Sequence, residues 1–331
     1  MSSTVLVVGA QGTIGSFVSQ LFSEAGWNVV RAGRRQESAE DFRLVDLGDP
    51  SGLKRACGEA DLIVSTAHHP DLQLERTILR EGGTLIDLIE LSPTERQGLI
   101  AESREARGLV ICDTGLGGVA YMAIADLLRA HPRADQAEYS LMVSASGSSG
   151  RAGALFAHSL LTGSSHHPTA KLPFPKPLGT RRCLEVGAVG SVLRDAVNGV
   201  PLRSYILMRP RPLHGFLLAL NAARLISRLP TASFTAGTAK VPDEPSEEPI
   251  CEWVAVGKDR KRLAARTIEG KGYYRMTAAA TLAFAEILLA SPIEQRGLLS
   301  IDQLLGLDAV LPSLERHGVF VQEQPLDEKG R

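Results

Sequence analysis

The sequence is poor in the features that mark several classes of protein. Its four cysteines, at positions 57, 112, 183 and 251, are far apart and form no C-x-x-C pair. This spacing argues against a zinc site or a disulfide framework and favours a reducing compartment. The formal net charge is only −1, so no excess of basic residues predicts nucleic acid or an anionic membrane as a partner.

Long apolar runs and targeting segments are also lacking. The two most apolar stretches, 215–226 and 276–290, are interrupted by Asn221, Arg224 and Glu286, and neither reaches the length of a membrane span. No basic and cleavable apolar segment precedes the first predicted strand. We therefore expect a cytoplasmic protein, whose 331 residues are enough for two domains.

Two common catalytic patterns are missing. Short-chain dehydrogenases use a tyrosine that is followed four residues later by a lysine, but none of the five tyrosines has a lysine at that position. No cysteine is placed to form an acyl-enzyme, so aldehyde dehydrogenase chemistry is not favoured either. An oxidoreductase with this sequence must use other groups.

What the sequence does contain is a glycine-rich turn between a strand and a helix. The apolar run Val5–Val8 leads into Gly9-Ala10-Gln11-Gly12-Thr13-Ile14-Gly15, a helical pattern follows as far as Gly26, and a second strand covers Asn28–Ala32. In this context the glycines allow the backbone to turn sharply and approach a pyrophosphate, which the free N–H groups of the helix start bind. The pattern predicts a dinucleotide site.

The second strand lacks the acidic residue that usually binds the ribose of NAD, and it ends instead in Gly33-Arg34-Arg35. Two guanidinium groups suit the 2′-phosphate of NADP through charge-assisted hydrogen bonds. We therefore expect NADP(H) to be preferred, with NAD(H) possible; a solvated arginine pair in a surface turn is the alternative. Asp46 ends a short third strand, where an adenine ring rests in such folds, although a plain surface loop fits it as well.

Strands and helices alternate over about 112 residues, which predicts a doubly wound, largely parallel sheet. From about residue 137 the pattern changes to the alternation of half-exposed antiparallel strands. The predicted fold class is α/β, with an N-terminal Rossmann-type parallel sheet and a second α/β domain that has a mainly antiparallel sheet. We expect a dinucleotide-binding domain at 1–135, a substrate and dimerisation domain at 136–275, and C-terminal helices at 276–331 that return to the nucleotide domain.

Three candidate catalytic residues follow predicted strands of the first domain. His68 and His69 follow the fourth strand and Glu90 follows the fifth, so all three leave the sheet at its carboxyl edge, where ligands bind in such folds. Histidine titrates near neutral pH and readily donates or accepts a proton. The alternative is that one histidine caps the next helix while the other faces solvent. Asp113 leaves the same edge, but it equally suits a helix cap.

Candidate substrate residues lie in the second domain. Ser146, Ser148 and Ser149 belong to a run of serine and glycine before a helix, where hydroxyls and free amides suit a carboxylate; a flexible linker has the same composition. Arg209 and Arg211, in an R-P-R-P segment after a predicted strand, are either a carboxylate clamp or surface arginines held by prolines. No metal site is predicted.

Four segments, taken in order, match a known pattern. They are VLVVGAQGTIG with VVRAGRR, then LIVSTAHHP, then ICDTGLGGVAYMAIADLL, and finally a tail that combines GYYRMTAAATLAFAEILLA with GLLSIDQLLGLDAVLPSLERHGVFV. Together they resemble the saccharopine dehydrogenase-like NAD(P)-dependent oxidoreductases. Each motif is loose by itself, but their order and spacing cover both ends of the chain, whereas residues 145–250 match only in outline.

The resemblance implies a nucleotide domain, a second domain that forms a homodimer, and hydride transfer at a carbon–nitrogen bond of a small, amino-acid-like substrate. The residues that it assigns to the cofactor are Gly9, Gln11, Gly12, Thr13 and Ile14 for the pyrophosphate, Arg34 and Arg35 for the 2′-phosphate, and Thr66, Ala67 and His68 for the nicotinamide side. The pair His68-His69 departs from the family, which is usually small and apolar there, so either the nicotinamide pocket or the substrate differs.

Two alternatives stay open. One is an NADPH-dependent reductase of C=C or C=O bonds in a larger apolar or secondary-metabolite substrate, which the apolar segments 215–226 and 276–290 would enclose. The other is a non-catalytic NADP-sensing protein, which the lack of an unambiguous catalytic residue favours.

Overall fold

The computed structural model describes residues 3–35, 38–144, 151–186, 194, 196–235, 248–290 and 293–326. The strands in chain order are β1 (Thr4–Val8), β2 (Asn28–Gly33), β3 (Phe42–Leu44), β4 (Leu62–Ser65), β5 (Thr84–Asp87), β6 (Leu109–Cys112), β7 (Gln136–Ser144), β8 (Thr169–Pro173), β9 (Thr180–Val186), β10 (Ala196–Val197), β11 (Val200–Arg209), β12 (Pro249–Lys258), β13 (Lys261–Lys271), β14 (Gly297–Ser300) and β15 (Phe320–Glu323).

The helices in chain order are α1 (Thr13–Glu24), α2 (Pro50–Cys57), α3 (Gln73–Glu81), α4 (Pro93–Glu102), α5 (Gly115–Ala130), α6 (Arg151–Thr162), α7 (Arg211–Ala222), α8 (Ala232–Thr235), α9 (Tyr273–Ala290), α10 (Ile301–Leu304) and α11 (Leu307–Arg316). The chain forms two compact units. The first unit comprises Met1–Val119 and Tyr274–Gly318, and the second comprises Ala120–Tyr273 and Val319–Arg331.

The first unit contains a seven-stranded parallel sheet in the order β14-β6-β5-β4-β1-β2-β3. The central strands β4 and β6 are largely apolar and buried at every position, as expected of parallel strands that are covered on both faces. The chain winds outward from β1 in both directions, so β1 and β4 flank the point where the strand order reverses. In open α/β sheets this switch point is where ligands bind, at the carboxyl ends of the strands.

The Ala-rich helix α9 belongs to the first unit and is buried on nearly all sides. Every residue from Met276 to Ala285 is buried. Alanine and threonine side chains are small enough for other elements to approach such a helix from every direction, and a helix that is apolar all round is stable only in a core. No helix of the described residues is long and apolar enough to cross a membrane.

The second unit is built on an eight-stranded mixed sheet in the order β15-β13-β12-β7-β11-β9-β8, with β10 paired to β11. The pair β7 and β11 is parallel, and the other pairs are antiparallel. The structure therefore confirms the predicted fold class, an α/β protein that combines a Rossmann-type parallel sheet with a second, mainly antiparallel sheet.

Candidate nucleotide and catalytic site

The glycine-rich turn after β1 has a backbone that only glycine adopts without strain. Gly9 has φ +83°, and a Cβ at this position would lie 2.6 Å from the hydroxyl oxygen of Thr66. The amides of Gly9 and Ala10 both donate to the carbonyl of Ala32, at 2.9 and 3.1 Å. A Cβ on Gly15 would collide with the carbonyl of Gly9, so the glycine in α1 allows the helix to approach the turn.

The start of α1 keeps donors available for a ligand. Gly12 is the N-cap residue and has no side chain that accepts a hydrogen bond from the first turn. The first N–H groups of a helix lack partners within the helix and carry the positive end of its dipole. Thr13 and Ile14 occupy this turn, so the segment has the backbone geometry and the donors that a pyrophosphate requires.

The side chain of Gln11 connects the glycine turn to the end of β2. Its amide Nε2 donates to the carbonyl of Arg35 at 2.9 Å, and its Oε1 accepts from the amide of Arg35 at 3.4 Å. The amide group lies against Gly33, where a Cβ would be 2.5 Å from Oε1. Gln11 therefore fixes the position of the segment that carries Arg34 and Arg35. In the described part of the chain both side chains are exposed, and neither forms a salt bridge.

Thr66 and Ala67, which follow β4, lie beside the glycine turn. The hydroxyl of Thr66 donates to the carbonyls of Val8 and Gly9, at 3.0 and 3.1 Å. Its hydrogen is therefore used to hold β4 and the turn together. Asp46 follows β3 and is exposed; its carboxylate accepts from the amide of Gly48 at 2.9 Å and closes a local turn.

The two histidines after Ala67 have different partners. His68 is exposed, and its Nε2 lies 2.9 Å from Oε1 of Glu95. Burial alone would raise the pKa of Glu95, but hydrogen bonds from Ser92 and from His68 hold it below its usual value. A carboxylate that is ionised accepts the Nε2 proton, which leaves Nδ1 of the neutral ring as the acceptor. Nδ1 of His69 instead accepts from the amide of Asp71 at 3.3 Å.

Glu95 is itself fixed at the start of α4. Its second oxygen accepts from the amide of Ser92 at 2.8 Å, and the hydroxyl of Ser92 accepts from the amide of Glu95 at 3.3 Å. This reciprocal capping box holds the carboxylate in place. His68 is thus oriented by a fixed acid, an arrangement that general acid–base catalysis uses, whereas His69 stabilises a turn.

A buried pair of carboxyl groups lies at the end of β5, and the sequence interpretation missed it. Asp87 is fully buried and Glu75, on α3, is 2% exposed. Burial raises the pKa of Asp87 well above its usual value, and the charge of Glu75 raises it further. Burial also raises the pKa of Glu75, although the charge of His68 lowers it. Each carboxyl shifts the pKa of the other. Among the described residues Oε2 of Glu75 and Oδ2 of Asp87 have no hydrogen-bond partner, so a proton held between the two groups would satisfy both.

The remaining residues that the sequence analysis singled out do not belong to the group formed by His68, Glu95, Glu75 and Asp87. Glu90 is exposed beyond β5. Asp113 forms a salt bridge with Arg96 and accepts a hydrogen bond from the hydroxyl of Ser300 at 2.7 Å, so its carboxylate holds neighbouring segments together. Ser146, Ser148 and Ser149 lie outside the described residues. The described residues contain no group of three or more potential ligands that could hold a metal ion.

Arg209 lies in the second unit, at the end of β11. Its Nη1 donates to the carbonyl of Pro249 at 3.0 Å, and its Nε lies 3.1 Å from a carboxylate oxygen of Glu248. The guanidinium is therefore already engaged on one side. It also lines a cavity of the second unit.

The parallel sheet, the glycine turn and the positions of its donors define a Rossmann-type unit. Residues 5–79 match the model of the NAD dependent epimerase/dehydratase family. No curated protein sequence is significantly similar to this chain.

Among solved structures, the chain is similar to saccharopine dehydrogenase (L-Glu forming) from Saccharomyces cerevisiae, with a TM-score of 0.64 and 14% identity over 98% of this chain and 100% of that chain. An amine dehydrogenase from Mycobacterium smegmatis aligns with a TM-score of 0.49 and 13% identity, over 91% of this chain and 96% of that one. The first similarity confirms the saccharopine dehydrogenase-like fold that the sequence motifs predict.

Proposed function

We propose that this chain is an NADP(H)-dependent oxidoreductase that transfers hydride to or from an imine or amine of an amino-acid-like substrate. The observation that carries the proposal is the coupling of the glycine turn to the arginine pair through Gln11. One surface then offers a turn in which glycines let the backbone approach a pyrophosphate, and two guanidiniums for a 2′-phosphate. An anion between two guanidiniums gains charge-assisted and bidentate hydrogen bonds.

The close packing of the glycine turn supports this assignment. A Cβ at Gly9, Gly15 or Gly33 would meet neighbouring atoms at 2.6 Å or less. The backbone is therefore packed more closely than any other residue allows, which brings the turn and the helix start together. NADP(H), when bound, supplies or accepts the hydride. Arg34 and Arg35 would hold its 2′-phosphate, and Thr13 and Ile14 its pyrophosphate.

His68 is assigned the proton transfer. Hydride addition to an imine requires a proton or a positive charge on the nitrogen, and the reverse reaction requires its removal. Glu95 holds Nε2 of His68, so Nδ1 is the atom that accepts or delivers the proton. His69 is not given this role because, among the described residues, its ring is bound by the amide of Asp71 and not by a carboxylate.

The proposal is tested by following NADPH absorbance with a panel of 2-oxo acids, each combined with a primary amine or an amino acid. We expect steady oxidation that requires both components. A second panel of apolar enones and ketones tests the alternative reductase activity. Binding of NADPH without turnover in either panel would instead favour an NADP-sensing protein and would contradict the assignment of His68.

A further inference from the structure

The second unit contains a cavity of about 940 Å³ that has no assigned role. It lies at the ends of β11, β12 and β13, beside the start of α7 and the connection between β8 and β9. Small-molecule sites are roughly 300–1,000 Å³ in volume. The cavity is therefore large enough for a ligand of moderate size, and all of its lining residues belong to one unit.

The inner wall of this cavity is apolar. Leu207, Met208 and Ile250 line it, and each is at most 3% exposed. Leu218, from α7, contributes a further aliphatic side chain. Such a wall gains free energy by covering the apolar body of a ligand.

The remaining wall is strongly cationic. Six of the lining residues carry a positive charge and one carries a carboxyl group. The cations are Lys176, Arg181, Arg182, Arg209, Arg211 and Lys271. The carboxylate of Glu269 accepts a hydrogen bond from the hydroxyl of Thr267 at 2.7 Å. Glu248 offsets the charge of Arg209, and the cations of the lining still outnumber its one carboxylate, although the whole chain is nearly neutral.

Arg181 and Arg211 lie close enough to repel each other. Desolvation lowers the pKa of Arg181, and the positive charge of Arg211 lowers it further. Within the described residues neither side chain takes part in a salt bridge. Arg181 donates only to the carbonyl of Thr180, at 2.9 Å. Two like charges that lack a counter-ion lose this repulsion when an anion binds between them.

We propose that this cavity binds a small organic anion with an apolar body and a carboxylate or phosphate head. Arg181 and Arg211 bind the head, and Leu207, Met208 and Ile250 cover the body. Arg209 has a smaller part because Glu248 and Pro249 already hold it. All of the residues that this site uses belong to the second unit.

The test measures displacement of the fluorescent anion 1-anilinonaphthalene-8-sulfonate from the full chain by three compounds with the same alkyl chain: decanoate, decyl phosphate and decanol. We expect both anions to displace the probe and decanol to do so at least about tenfold less well, because each charge-assisted hydrogen bond contributes more than a neutral one. The stronger of the two anions identifies the head group. Equal displacement by decanol would overturn the proposal.

Two variants locate the site. Gly215→Phe fills the cavity from α7, where a Cβ at Gly215 has no neighbour within 4 Å. Its matched control is Gly98→Phe on α4, where a Cβ also has no neighbour within 4 Å. Both changes replace a helical glycine and so favour the helix. We expect the first to weaken decanoate binding at least about tenfold and the second to leave it unchanged. Equal affinity in the two variants would contradict the assigned position.

The head-group contacts are tested by Arg181→Gln combined with Arg211→Gln. The control is Arg228→Gln, an exposed arginine of the same unit outside the cavity. We expect the double variant to bind decanoate about tenfold more weakly or worse, with decanol unaffected. Light scattering on Gly215→Phe provides a further check. A change in oligomeric mass would assign the cavity to an interface between copies and overturn the ligand site.

Discussion

Glu252 gives the most quantitative prediction. It lies on β12, is fully buried, and accepts a hydrogen bond from the hydroxyl of Tyr139 at 2.9 Å. Among the described residues its other oxygen has no hydrogen-bond partner. Burial raises the pKa of Glu252 from 4.5 to about 8, against the opposing effect of the Tyr139 hydrogen bond. The folded protein therefore retains a proton that the unfolded chain has released at neutral pH.

The sign and size of the effect follow from proton linkage. The contribution of this group to stability is fully present below pH 4.5, where both states are protonated, and is lost as the pH rises through about 8. At about 1.4 kcal/mol for each pH unit, the total loss is about 5 kcal/mol. Glu252→Gln removes the titration, because glutamine is neutral in both states. We expect the variant to match the wild type at pH 5 to within about 1 kcal/mol and to exceed it by about 4 kcal/mol at pH 8.

The chain offers a direct probe for this measurement. Trp27 and Trp253 are its two tryptophans, and Trp253 is fully buried in the same unit as Glu252. In a Trp27→Phe background, urea unfolding followed by fluorescence reports on the second unit alone. Glu323→Gln, at an exposed position of β15, is the matched control. Equal pH dependence of unfolding in Glu252→Gln and in the wild type would refute the reasoning.

Three further predictions concern the first unit. Gly9→Ala should abolish NADPH binding because the new Cβ meets Thr66. Gly26→Ala should preserve binding, because Gly26 has nearly the same φ, +84°, but a Cβ there has no neighbour within 4 Å. Calorimetric titration measures both affinities, and equal affinity in the two variants would contradict the packing argument. His68→Gln should lower kcat by about 100-fold or more with a much smaller change in the Kd of NADPH, and a loss confined to KM would argue against proton transfer. Asp87→Asn should keep the free energy of unfolding within about 1 kcal/mol of the wild-type value at pH 7, because asparagine resembles the protonated acid. Asp87→Ala should lower it by about 2–3 kcal/mol, because it leaves Glu75 buried and unpaired. Urea unfolding compares the two variants, and equal losses would exclude a shared proton.

The local features of the fold were predictable from the sequence. The glycine spacing, the apolar strands and their alternation with helices are properties of neighbouring residues, and each has a clear physical cause. The α/β class follows from them, the saccharopine dehydrogenase-like fold was implied by the resemblance of four segments to that family, and both are confirmed. The assignments of NADP(H), of the catalytic residues and of a homodimer stay predictions.

The contacts that give the candidate site its chemistry were not predictable in the same way. The bond between Gln11 and Arg35 and the pairing of Glu75 with Asp87 join residues from different elements, and sequence spacing does not fix side-chain directions. A partial signal was present, since Glu75 shares a helix face with the apolar Ile78 and Leu79. A charged residue on such a face is buried, and a buried carboxyl requires a partner or a proton.

The cavity of the second unit could be predicted only from the strand order of its sheet. Arg181 and Arg211 lie on β9 and α7, and the sequence alone does not show that β9 pairs with β11. The R-P-R-P segment drew attention to Arg209, whose guanidinium is held by Glu248. Arg211 is the second arginine of the same segment, whereas Arg181 carried no motif, and neither side chain forms a salt bridge within the described residues.

The most direct test of the proposed function is the ratio of the dissociation constants of NADH and NADPH. It is measured by calorimetry for the wild type, for Arg34→Ala combined with Arg35→Ala, and for the control Arg55→Ala, which changes an exposed arginine on α2. We predict that the wild type and the control bind NADPH about 100-fold more tightly than NADH, and that the double variant binds the two equally. Equal binding of NADH and NADPH by the wild type, or a preference that survives in the double variant, would contradict the assignment.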